Sequence, residues 1–172
     1  MKSAPVIDPE SFDIEDSEDI LGLAKTLVNG RHPGILTTVD ADGVPRTRWM
    51  STLAFDDFPV FYTLTAPDSR KVAQIRQHPA VSWMFSNHDL SLILNLSGTA
   101  RVLTDPQTLK KVWQEAEDLS HAYFLERYSA PPGAAVIETT VEAIECSSPK
   151  NGLRFEISPR EIAPDSKPAR NT

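Results

Sequence analysis

The tetrapeptide Asp68-Ser69-Arg70-Lys71 sets a hydroxyl and two cations where Ala66-Pro67 breaks an apolar run and a helical pattern begins. Cations in a first helical turn face the positive end of the helix dipole, which costs roughly 0.3–1 kcal/mol each unless something negative sits there. A phosphate would reverse that sign. It would accept hydrogen bonds from the N–H groups of the helix start, from the Ser69 hydroxyl, and from Arg70 and Lys71. The tetrapeptide alone also permits a plainer arrangement, in which Asp68 or Ser69 caps the helix and the two cations are solvated.

Upstream, Arg46, Arg48 and Met50 alternate with Thr47, Trp49 and Ser51. On a strand, residues two apart share a face, so the arginines form one row and Trp49 lies in the other. Such a row is ordinary on a solvated face. Combined with the helix start at Ser69, it offers two or three cationic groups that could converge on one anion. From Gly43 to Gln77 five basic residues stand against three acids, whereas the chain as a whole carries a net charge of −7. That overall charge argues against attraction to nucleic acid or to an anionic membrane. One local positive cluster in an acidic chain suits a small anionic ligand, although chance clustering would look the same.

The elements that position these residues can be read from periodicity and turn signals. Ile20, Leu23, Ala24, Leu27 and Val28 recur at helical spacing behind an acidic start, which predicts a helix over 17–29 ended by Gly30. Strand-like runs follow at Ile35–Val39, Val44–Phe55 and Val60–Thr65, joined by the turns Asp40–Gly43 and Asp56–Pro59. This predicts an antiparallel meander. Ser69–Gln77 reads as a short helix with Val72, Ala73 and Ile75 inward and Pro79 as its stop. Ala80–Phe85 and Leu90–Leu103 read as strands, with Gly98 marking a bulge or bend in the second. Thr104-Asp105-Pro106 opens a helix running to about Leu119, and His121–Tyr128 reads as another. Val136–Cys146 and Leu153–Ile157 supply the last strands. Six to seven short strands with few helices predict a mainly β fold, a closed or half-closed antiparallel barrel with helical insertions.

At 172 residues the chain is long enough for one domain, expected at 17–158 between an arm at 1–16 and a tail at 159–172. No apolar run approaches the roughly 20 residues that cross a bilayer, and the acidic beginning is unlike a secretory signal, so a cytoplasmic protein is expected. Cys146 is the single cysteine, which excludes an internal disulfide, and in an apolar strand pattern it reads as an inert thiol. His32, His78, His88 and His121 are scattered, so no metal site is expected. There is no G-x-G-x-x-G, no Walker loop and no nucleophile elbow.

Several motifs in order carry a family resemblance: Gly43-Val44-Pro45-Arg46-Thr47-Arg48-Trp49-Met50, Phe61-Tyr62-Thr63-Leu64-Thr65, Ser69-Arg70-Lys71-Val72, His78-Pro79-Ala80-Val81-Ser82-Trp83, and Ser97-Gly98-Thr99-Ala100. Together they resemble the pyridoxamine 5'-phosphate oxidase-like FMN-binding split barrels, within them the general stress protein group. The resemblance implies a split β-barrel in which Ser69, Arg70 and Lys71 hold the FMN phosphate. It places Arg48, Trp49, Met50 and Ser51 along the phosphate and isoalloxazine edge, and Leu64 and Thr65 at the ribityl and phosphate. It implies an FMN-dependent oxidoreductase using NAD(P)H or a similar donor on an unnamed small molecule. The same fold binding the deazaflavin F420 or haem, or storing flavin without turnover, are the alternatives.

Oxidation of vitamin B6 is not expected, because the strand Gly152–Ile157 lacks the histidine of that oxidase's C-terminal motif. Glu145-Cys146 also stands where the stress proteins often carry tryptophan. The resemblance further implies a homodimer with the cofactor between chains. Trp83, Leu92, Leu94 and Trp113, counted as apolar surplus on so small a fold, point the same way.

Overall fold

Asp40 organises the first hairpin. In the computed structural model its Oδ1 accepts the amides of Asp42 (3.1 Å) and Val44 (2.9 Å), and its Oδ2 takes Arg46 Nε at 2.8 Å. These bonds hold its carboxyl below the usual carboxylate range. Gly43 completes the turn at φ +78°, where a side chain would be strained. The hairpin joins β1 (Gly34–Val39) to β2 (Pro45–Met50) in antiparallel register, with Leu36 opposite Arg48 and Thr38 opposite Arg46. The structure describes residues 17–31, 33–55, 58–118, 133–149 and 152–157. The expected arm, the tail beyond 157 and the stretch His121–Tyr128 lie outside them.

The remaining elements are α1 (Ser17–Thr26), β3 (Val60–Thr65), α2 (Arg70–Gln77), β4 (Ala80–Ser86), β5 (Ile93–Leu103), α3 (Pro106–Asp118), β6 (Ala135–Ser148) and β7 (Leu153–Ile157). α1 is shorter than expected. It widens into a π-helical turn over Leu27–Arg31, whose Val28 carbonyl receives the Thr52 hydroxyl at 2.6 Å.

The seven strands form one antiparallel sheet in the order β2-β1-β4-β5-β6-β3, with β7 also on β6. A mainly β fold of about seven strands is therefore what the sequence led to. The three-strand meander is not. β3 pairs with β6 rather than β2, because the chain leaves β2 after Met50 and returns to the other edge of the sheet. There Leu53 exchanges both backbone hydrogen bonds with Tyr62, each 2.8 Å. One chain segment thus borders both sheet edges and closes the barrel.

The barrel interior holds the main core. Phe61, Trp83 and Phe85 meet with ring centroids 5.2–6.3 Å apart, and Ile20 and Leu23 of α1 and Leu27 of the π-turn join the same core. Trp83 donates its indole N–H to Thr139 Oγ1 at 3.3 Å, which satisfies the one polar atom of a buried ring. A second cluster lies outside the barrel, where Val112 and Ala116 of α3 pack on Leu53, Tyr62 and Val136, with Leu109 and Trp113 at its margin. Leu109, Val112, Trp113 and Ala116 follow the helical stripe i, i+3, i+4, i+7. Trp83, Leu92 and Leu94, expected as surplus surface, are buried within the single chain. Their burial comes from barrel closure, which the strand pattern alone does not reveal.

Candidate functional site

Two helices of this chain begin differently. At α3, Asp105 caps in the ordinary way, its carboxylate taking the Thr108 amide at 2.8 Å ahead of Pro106. At α2, Ser69 occupies the N-cap in extended conformation, yet its hydroxyl makes no capping hydrogen bond and no acid lies in the first turn. Of the plainer arrangement, Arg70 is exposed as it supposed, while side-chain capping by Ser69 does not form. Its Oγ lies 3.3 Å from Thr65 Oγ1, which accepts from Lys71 Nζ at 2.8 Å. Thr65 is buried at the end of β3, so hydroxyls and an ammonium are gathered at the helix start by the strand that precedes it.

Arg48 arrives from β2. It is half-buried, and its Nη1 donates to Thr38 Oγ1 at 2.6 Å while its Nη2 donates to Gln74 Oε1 at 3.1 Å. Burial, and next the charge of Arg70, lower its pKa. Arg48 and Arg70 are thus close enough to repel, and no carboxylate of the described residues forms an ion pair with either. Arg46, on the same row of β2, is withdrawn by its Asp40 partner. Of the cations expected to converge, Arg48 and Arg70 lie near enough to interact, and Lys71 is tied to Thr65 at the end of β3.

The other residues singled out in sequence are placed less uniformly. Trp49 points to the opposite face of β2 and is 66% exposed. Met50 packs against the main core, and the Ser51 carbonyl accepts the Thr63 hydroxyl at 2.5 Å. Leu64 turns away from Thr65 to the α3 cluster, as strand alternation requires. On α2, Val72 and Ile75 are buried, whereas Ala73, expected inward, is exposed. Two residues of the site were not anticipated: Thr38 and Gln74. Gln74 stands four residues beyond Arg70, a spacing that puts both on one helix face and could have flagged it.

Elsewhere the described residues offer little chemistry. Cys146 is fully buried and burial pushes its thiol up to about 11, so it is neutral at physiological pH. Among the described residues no cluster of three or more His, Cys, Asp or Glu could hold a metal ion. No described helix is long and apolar enough to cross a membrane. On β7, Arg154 is tied to Glu145 at 2.5 Å.

A seven-stranded antiparallel sheet closed on itself by a chain segment that borders both of its edges is consistent with the split-barrel class of folds. The chain belongs to the pyridoxamine 5'-phosphate oxidase family, whose sequence model matches residues 22–147. Among solved structures it is similar to a protein related to general stress protein 26 of B. subtilis (pyridoxinephosphate oxidase family) from Clostridium acetobutylicum. That likeness has a TM-score of 0.70 at 18% identity, covering 86% of this chain and 99% of the other. General stress protein 26 from Bacillus anthracis gives a TM-score of 0.57 at 21% identity, over 77% of this chain and 94% of its own. These likenesses establish the fold. No curated protein matches the chain.

Proposed function

We propose that this chain binds FMN through its phosphate and is a flavin-dependent oxidoreductase taking electrons from NAD(P)H or a similar donor. The observation that carries the reading is the start of α2, where Arg48 and Arg70 lie near each other with no carboxylate of the described residues paired to either, and Lys71 is held by Thr65. A phosphate fits this set. It would accept from the guanidinium and ammonium groups and from the helix-start amides, and the Ser69 hydroxyl, not spent on capping, can turn to it. Thr65 orients Lys71 and Ser69 for that task. The family resemblance adds Trp49, Met50, Ser51 and Leu64 along the remainder of the cofactor, through backbone as well as side chains, and a second copy of the chain to complete the pocket.

Bound FMN would supply the hydride and electron transfer, and the chain's own residues would anchor and orient it and limit solvent access. Titration of the purified protein with FMN and riboflavin tests the reading. FMN should bind at least tenfold more tightly, by roughly 1.4 kcal/mol or more. Replacing Arg70 and Lys71 together by alanine should weaken FMN by about 1.5–3 kcal/mol and leave riboflavin nearly unchanged. Equal affinity for the two flavins in the parent chain would remove the phosphate site. A visible spectrum of F420 or haem on the purified protein would transfer the same basic site to another anionic cofactor.

A further inference from the structure

We propose that Gln74 is a positioning residue of the anion site, holding the Arg48 guanidinium in place through an uncharged acceptor so that its positive charge is left for the ligand. The proposal rests on the phosphate reading above and deepens it. Arg48, Thr38 and Gln74 form a closed triangle of hydrogen bonds. Arg48 donates to Thr38 Oγ1 (2.6 Å) and Gln74 Oε1 (3.1 Å), and Thr38 Oγ1 donates to the same Oε1 at 2.7 Å. Because a guanidinium and a donating hydroxyl both converge there, the amide of Gln74 must present its oxygen. Its orientation is therefore fixed by chemistry.

The usual partner of a half-buried arginine is a carboxylate, which orients the fork and cancels its charge. Here, among the described residues, two neutral oxygens do the orienting. The cost of holding Arg48 half-desolvated near Arg70 is visible in its lowered pKa, and an anion between the two would relieve it. Two of the five guanidinium N–H groups are used in the triangle, and among the described residues no hydrogen bond takes the other three. Gln74 comes from the same helix as Arg70 and Lys71, and Thr38 and Arg48 come from the β1–β2 hairpin. The triangle therefore also fixes how far the hairpin stands from the helix start.

Two near-isosteric variants, Gln74→Glu and Gln74→Leu, test this by titration with FMN and with riboflavin, beside thermal melting of the ligand-free proteins. Gln74→Glu should form an ion pair with Arg48, keep or raise the melting temperature, and lower FMN affinity by about a hundredfold. Gln74→Leu, which removes the acceptor and adds no charge, should lower it by about tenfold. Riboflavin affinity should hold in both, which a merely structural role would not produce. Parallel loss of both flavins, or an unchanged preference for FMN in both variants, overturns the role of Gln74 while the phosphate site stands. A parent chain without preference for FMN overturns the site and the proposal together.

Discussion

Ser69 sits at a helix start without capping it, and that separates two roles a serine can have. A capping serine contributes about 1 kcal/mol to stability, whereas a ligand-binding one contributes to affinity. Ser69→Ala should therefore change the denaturation free energy of the ligand-free protein by less than about 0.5 kcal/mol, while weakening FMN measurably. A loss near 1 kcal/mol in urea denaturation, with FMN binding intact, would return Ser69 to the capping role. Ser69, Arg70 and Lys71 stood out in sequence because cations in a first helical turn are unfavourable without an anion, and Arg48 stood out only beside them. Thr38 and Gln74 were not. Both are neutral, ordinary residues whose roles arise only when the hairpin lies against α2. Arg46 misled for a local reason, since the acid that claims it, Asp40, sits across a tight turn.

The elements themselves were largely readable. β3 falls at the expected Val60–Thr65, and the Gly98 irregularity appears where a bulge or bend was expected, as a register shift between Ser97 and Gly98. What local pattern could not supply was pairing. β3 has polar and apolar residues suited to either neighbour, and its choice of β6 depends on residues from the far end of the domain. Gly98 shows how tightly β6 lies on β5 as well: a Cβ there would lie 2.0 Å from the Thr140 carbonyl oxygen. Gly98→Ala should accordingly cost about 1–3 kcal/mol or more, read as a lower denaturation midpoint, because backbone rather than a movable side chain blocks the space. A neutral result would mean that β6 can slide without loss.

At the scale of the molecule, the homodimer expected from the resemblance needs a different surface from the one first counted on. Trp83, Leu92 and Leu94 are interior. The apolar groups that remain outside include Trp49 at 66% and Met84 at 38% exposure, and both lie beside Ile35 across adjacent strands. If copies of this chain meet there, sedimentation at micromolar concentration should give a dimer, and Met84→Asp should shift it toward monomer. FMN should oppose that shift if the pocket is shared, since a ligand bound only by the dimer stabilises it by mass action. A monomeric parent that binds FMN tightly would show that one chain supplies the whole pocket.

The pairing of β6 also carries a consequence for biosynthesis. β6 lies along β5 for most of its length and takes β3 on one half of its other edge and β7 on the other half. A nascent chain that has left the ribosome as far as α3 already contains Ser69, Arg70, Lys71, Arg48 and Gln74, yet among the described residues the one backbone pairing then available to β3 is the Leu53 bridge. The residues that would grip a phosphate are thus translated before the strand that joins β3 to β5, and a cofactor met early would find its anchors on an open sheet.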